Sequence, residues 1–192
     1  LDVLTLHSDL EQKQRDETII LFSNKSYPIL IATDVASRGL HIDDVDLVIN
    51  YDLSLDEKIH THRIGRTARA GKGGLAISLY TQNDMDRVFA IKEVFADIEE
   101  ENISNVEDDL SYKIDSPQRT IFINGGKKQK LRAGDILGAL TAGIGLSKED
   151  IGKIDILDFA SYVAINKEKI AYVLTELSKS KIKGKYYRIY EK

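Results

Sequence analysis

The chain holds no cysteine in its 192 residues. That excludes a disulfide framework, a thiolate metal site and a cysteine nucleophile. No apolar run approaches the ~18 residues that a membrane-spanning helix requires, so no membrane partner is expected. The N-terminus, Leu1 followed by the alternating Asp2-Val3-Leu4-Thr5-Leu6, lacks the basic-then-apolar layout of a secretory signal. A cytoplasmic location is the expectation. No internal repeat or low-complexity segment occurs.

What is present reads as globular. Hydrophobic residues make up 42% and charged residues 30%, and the length allows one large domain or two small ones. The net charge of −4 conceals an asymmetry: −5 over residues 1–98, −6 over 99–117 and +7 over 118–192. A basic module behind an acidic spacer predicts a polyanion partner for that module.

Residues 1–98 alternate strands (Val3–Leu6, 29–32, 47–50, 75–79) with helices (10–22, 55–64, 83–95). Three of the strands are near-continuous apolar runs, which predicts a doubly wound α/β module with parallel strands covered on both faces. Ligands then sit beyond the carboxyl ends of the strands, where Thr33-Asp34 falls. Residues 99–117 read as a linker, with Glu99-Glu100-Glu101 and Glu107-Asp108-Asp109 repelling one another. From 118 the order is strand (120–124), helix (135–141), strand (154–157), strand (162–165), helix (core stripe Ile170, Val173, Leu174, Leu177), strand (186–190). That is the split βαβ, ferredoxin-like order. Ser147-Lys148-Glu149-Asp150 has the pattern of a capping box, and Asn166 is placed to cap the last helix.

The chain is organised around His62-Arg63-Ile64-Gly65-Arg66-Thr67-Ala68-Arg69-Ala70-Gly71. Arginines spaced by three share one side of a helical turn. Their rigid forks match phosphate oxygens. Gly65 and the glycines after Ala70 let backbone approach a ligand closely. An ordinary exposed basic face is the competing reading.

This stretch resembles the arginine-finger motif of the DEAD-box RNA helicases. Ile31-Ala32-Thr33-Asp34-Val35-Ala36-Ser37-Arg38-Gly39-Leu40 is similar to another signature of that family, and His7-Ser8-Asp9 with Gln12 and Arg15 to a third, Ser8 standing in place of glycine. The resemblance implies a RecA-like module. Arg66 and Arg69 would reach the terminal phosphates of ATP, and His62 would couple the ATP and RNA sites, with Arg63 supporting them by local pairing. Gln12, Arg15, Thr33 and Gly39 would contact RNA. The position that the family fills with an aspartate for the ATP ribose is His41 here, with Asp43 or Asp44 as substitutes.

In the basic module, Thr120-Ile121-Phe122-Ile123-Asn124 resembles the first strand signature of an RNA recognition motif. Alternation buries Ile121 and Ile123 and turns Phe122 to the other face, where a base could stack; Tyr162-Val163 is what remains of the second signature. A pair of merely exposed strand aromatics is the competing reading. Gly125-Gly126-Lys127-Lys128-Gln129-Lys130-Leu131-Arg132 forms an electropositive lip, read as flexible, with Lys127, Lys128, Lys130 and Arg132 as RNA contacts. Ala68, this lip and Lys153-Ile154-Asp155-Ile156-Leu157 are similar to the DbpA subfamily, which implies recognition of a hairpin of large-subunit ribosomal RNA and action in ribosome assembly.

No G-x-x-x-x-G-K-S/T phosphate loop and no Asp-Glu-Ala-Asp box occurs. The resemblance therefore implies the C-terminal part of a longer helicase. ATP and Mg would be held mainly by a first RecA-like domain that becomes this chain's partner, and no metal site is expected on the chain itself. The alternatives are a DNA helicase of the same superfamily and a non-catalytic RNA-binding scaffold with a helicase-like domain; the substitution at His41 leaves the latter open.

Overall fold

A computed structural model describes residues 2–34, 42, 45–54, 56–67, 73–95, 98–107 and 109–192. The chain divides by packing into two compact units, Leu1–Ser37 with Lys113–Lys192, and Arg38–Tyr112. Packing thus groups the first βαβ segment with the basic C-terminal module.

In the first unit, β1 (Val3–Leu6) and β2 (Ile29–Ala32) pair in parallel, Val3 opposite Ile29 and Leu6 opposite Ala32. Parallel strands need a crossover, and α1 (Gln12–Ser23) supplies it. Its start is set by Gln14, whose side chain accepts from the backbone N–H of Glu11 at 3.0 Å. Ile20 and Leu21 are its buried apolar residues.

The rest of this unit is one antiparallel sheet. Strands β5 (Gln118–Ile123), β6 (Ile151–Ile156), β7 (Ser161–Asn166) and β8 (Ile189–Glu191) lie in the order β6-β7-β5-β8. Two helices join them, α4 (Ala133–Gly138), which runs on as a wider turn through Ala139–Gly143, and α5 (Ile170–Lys179). This is the expected split βαβ order. Helix α5 carries Ile170, Val173, Leu174 and Leu177 on one stripe, and Val173 and Leu177 are fully buried against Ile121, Ile123, Val163 and Ile165. Burying each such side chain stabilises by roughly 1.5–3 kcal/mol. Asn166 caps the turn before α5, its Oδ1 accepting from the Glu168 N–H at 3.0 Å.

In the second unit, β3 (Leu47–Asn50) and β4 (Leu75–Ser78) form a parallel pair in register from Leu47–Leu75 to Asn50–Ser78. Helices α2 (Glu57–Ile64) and α3 (Met85–Val94) belong to the same unit, with Leu53, Val88 and Ile91 as its small core. Asp56 caps α2 by accepting from the Lys58 N–H at 2.8 Å.

Two expectations are corrected. The strands of residues 1–98 are not covered on both faces: Ile31 is 62% exposed, and Ile49 and Leu75 are each 57% exposed. Among the described residues these strands make two separate pairs, and a two-stranded ribbon offers too little surface to bury both of its sides. The capping box at Ser147 does not form either. The Ser147 hydroxyl bonds the Glu149 carboxylate instead, and only the short turn Lys148–Asp150 follows.

Candidate nucleic-acid interface

The basic lip is built by backbone, not by loose chain. Gly125 and Gly126 are both buried. A Cβ at Gly126 would lie 2.1 Å from the Leu157 carbonyl oxygen, and one at Gly125 would lie 2.3 Å from the Tyr187 ring. Close approach, not flexibility, is the reason for the glycine pair. The Lys127 N–H donates to Leu157 O at 2.9 Å, the Lys128 N–H to Asp158 O at 2.9 Å and the Leu131 N–H to Gly126 O at 3.1 Å. The lip is therefore pinned to the β6–β7 connection, which corrects its reading as flexible.

On this frame Lys127, Lys128, Lys130 and Arg132 all point outward and are exposed. Lys130 holds left-handed backbone at φ 61°, which ends the short turn Lys127–Gln129. Beside it lies a cleft of about 350 Å³ lined by Lys127, Lys130, Leu131, Arg132 and Lys183. Lys183 also has left-handed backbone, φ 51°. Its ammonium donates to Lys130 O at 2.7 Å and to Asp135 Oδ2 at 2.9 Å. That ammonium, then the Arg132 N–H, holds the Asp135 carboxyl below the usual carboxylate range. Lys183 is the cleft residue that sequence reasoning missed. It lies 53 residues from Lys130, and no local pattern ties the two together.

The sheet face opposite α5 carries a cross-strand row, because Phe122 pairs with Tyr162 on one side and with Tyr190 on the other. The ring centroids are 5.3 Å and 4.8 Å apart. The expected alternation holds, but the face is not open. Tyr162 is 1% exposed and Thr120 is fully buried. Burial, then the neighbouring Glu17 carboxylate, pushes the Tyr162 phenol pKa up. The reason is α1: Asn24 and Ser26 at its end reach Thr120, the Asn24 Nδ2 donating to Oγ1 at 2.8 Å, with Ser26 Oγ 2.7 Å from the same oxygen.

Gln12 and Arg15 lie one turn apart on α1, and the Gln12 amide donates to Asp16 at 2.7 Å. Thr33 stands exposed just beyond β2, its N–H bonded to Leu6 O at 3.1 Å. In the second unit the described part of the arginine stretch, residues 62–67, is the end of α2 and the turn after it. His62 and Arg63 occupy the last turn of α2, Gly65 closes it, and Arg66 follows with its N–H on Arg63 O at 3.2 Å. The Arg63 guanidinium donates to Asp52 O at 2.7 Å and to Asn50 Oδ1 at 3.3 Å, which ties the helix to the end of β3. His62 is exposed and Arg66 half-buried. Gly39, His41 and Arg69 lie outside the described residues. His60, which sequence reasoning passed over, is 5% exposed and sits edge-on to Phe95 at 5.9 Å. Burial, then the Arg63 charge, pushes its pKa below the usual histidine value.

Residues 1–71 match the helicase conserved C-terminal domain, and residues 120–191 match the DbpA RNA binding domain. The ATP-dependent RNA helicase DbpA of Escherichia coli is 42% identical over 186 residues, covering 97% of this chain and 40% of that protein. Its namesake in Bacillus subtilis is 36% identical over 205 residues, covering 96% of this chain and 43% of that protein. The ATP-dependent rRNA helicase RRP3 of Saccharomyces cerevisiae is 52% identical over 89 residues, 46% of this chain and 18% of the relative. The chain thus spans under half the length of these relatives. The RRP3 match is confined to part of the chain, whereas both DbpA matches run across the helicase and RNA-binding modules alike. By that joint match the chain carries a helicase conserved C-terminal domain followed by a DbpA RNA binding domain, the same pair that the DbpA helicases match across their C-terminal part.

Proposed function

We propose that this chain is the part of an ATP-dependent RNA helicase that grips structured ribosomal RNA and completes the ATP site. Residues 118–192 hold the RNA, a hairpin of the large-subunit ribosomal RNA, while residues 1–98 act with a first RecA-like domain to part short duplexes during large-subunit assembly in the cytoplasm. Residues 99–117 link the two. The observation that carries this reading is the lip: four exposed cations on backbone-fixed residues beside a cleft of about 350 Å³, in a segment of net charge +7. Preorganised cations suit a folded phosphate backbone, since little ordering remains to be done on binding.

Arg66 and Arg69 supply positive charge to the terminal phosphates of an ATP held mainly by the partner domain. Arginines in that role are worth about 10³–10⁵ in rate. Magnesium, when bound, neutralises charge developing on those phosphates. In this reading the ligands of that ion, like most of the ATP site, belong to the partner domain. His62, beside Arg63 on α2, is assigned the coupling of nucleotide and RNA, with Gln12, Arg15, Thr33 and Gly39 as the proposed RNA contacts.

The test joins this chain to a first RecA-like domain. Arg69→Ala is expected to abolish RNA-stimulated ATP turnover while hairpin affinity stays unchanged, and the chain by itself is expected to turn over no ATP. ATPase activity from the isolated chain, or an equal loss of hairpin affinity in the variant, would overturn the assignment.

A further inference from the structure

The aromatic face of the RNA-binding module is covered by a specific seam. At its centre Thr120, Ser26 and Asn24 are 0%, 1% and 3% exposed, and every one of them is hydrogen-bonded. Asn24 Nδ2 and Ser26 Oγ meet Thr120 Oγ1, and Asn24 Oδ1 accepts the Ser26 N–H at 3.1 Å. Buried polar groups matched in this way specify one arrangement, because a displaced partner would leave donors and acceptors unsatisfied. Around the centre lies a polar rim. Arg119 pairs with Asp2 at 3.3 Å, Lys192 pairs with Glu17, Lys153 donates to Ser23 Oγ at 3.0 Å and Ser116 donates to Lys25 O. A desolvated centre inside a charged rim is how specific interfaces are built.

Helix α1 has two sides. At about 100° per residue, Gln12 and Arg15 centre roughly 160° around the helix from Glu17 and Asn24. Docking through Glu17 and Asn24 therefore leaves the Gln12–Arg15 side turned away from the sheet.

We propose that this sheet face is the seat of α1 and not a platform for RNA bases. The seam holds the Gln12–Arg15 side of α1 and the Lys127–Arg132 lip on one body, so that a single RNA is gripped at two fixed places. This rests on the reading of the lip as an RNA site. It assigns Tyr162, and Phe122 beside it, to packing under the helix, with Tyr190, 37% exposed, and the Lys192 ammonium, 5.6 Å from the Phe122 ring centroid, at the edge.

Because the chain has no cysteine, a Ser26→Cys, Thr120→Cys double variant carries one thiol pair only. Two side-chain oxygens 2.7 Å apart put the two Cβ atoms near disulfide reach. Mild oxidation of the native protein is expected to close the bond within one chain. The locked protein is then expected to bind a labelled large-subunit ribosomal RNA hairpin as tightly, and with the same salt dependence, as the reduced one. Thiols that stay unpaired in protein whose circular dichroism is native would overturn the seam. A locked protein that loses about tenfold in affinity, the scale of one lost stacked base, and regains it with reductant would show that the face must open for RNA. Oxidation yield is read without RNA, so failure of the seam is separate from failure of the lip as an RNA site.

Discussion

Replacing Gly126 by alanine tests whether the lip is seated on the β6–β7 connection. The new Cβ would lie 2.1 Å from Leu157 O, 2.8 Å from Ala160 N and 2.9 Å from Asp158 C. All three are backbone atoms and cannot swing aside, so the lip and the connection must separate by about an ångström. That movement stretches the Lys127–Leu157 and Lys128–Asp158 hydrogen bonds, each now 2.9 Å. Overpacking typically costs about 1–3 kcal/mol, and two weakened backbone bonds take the expectation to ~3 kcal/mol or more. With a urea dependence of roughly 1–3 kcal/mol per molar, the unfolding midpoint should fall by about 1–3 M. Gly134→Ala is the matched control. It lies in α4, a Cβ there meets nothing within 4 Å, and alanine should gain about 0.5–1 kcal/mol in the helix. Urea titration of both variants, followed by hairpin binding, reads out opposite signs of stability and a loss of affinity for Gly126→Ala alone. An unchanged midpoint in Gly126→Ala would refute the seating and restore the glycine pair to a flexible role.

Two further outcomes follow from packed rings. The folded-state pKa of His60 lies below its ordinary 6.5, so the unfolded chain takes up the proton first on acidification; the stabilisation is complete above about pH 6.5 and is lost as pH falls towards the folded value. The protection factors of α2 amides, taken relative to the intrinsic exchange rate at each pH, should fall between pH 7.5 and 5 in the native chain and fall less in His60→Leu; equal pH sensitivity in both would remove His60 as the cause. Phe122→Ala should cost ~2 kcal/mol of stability by emptying the space between Tyr162 and Tyr190, with the salt dependence of hairpin binding unchanged. Weaker binding at unchanged stability would instead place a base on that ring.

The C-terminal module was the more legible part of the chain. The stripe Ile170, Val173, Leu174 and Leu177 and the alternation around Phe122 needed only local periodicity, and both held. What could not be read locally was who occupies the far side of the sheet. Asn24 and Ser26 look like turn residues in the sequence, yet they meet Thr120 across 96 and 94 positions. The glycine pair misled for a similar reason: a glycine that permits close packing and one that permits motion are the same letter, and only Leu157 O and the Tyr187 ring distinguish them. The cations of the lip were found because they are contiguous, and Lys183 was not because its turn returns from another part of the chain. In the arginine stretch the local pairing of Arg63 is seen, on Asn50 and Asp52, while the phosphate role of Arg66 and Arg69 stays a proposal from chemistry and spacing.

The central claim is that the lip holds RNA by its phosphates, and a salt titration tests it most directly. A labelled large-subunit ribosomal RNA hairpin is titrated with the native chain and with Lys127→Ala, Lys130→Ala at several salt concentrations. Each phosphate contact contributes roughly one unit to the slope of log K against log salt. The double variant should therefore bind more weakly at low salt and with a slope shallower by about two. A slope equal to that of the native chain would move the RNA off the lip and contradict the account.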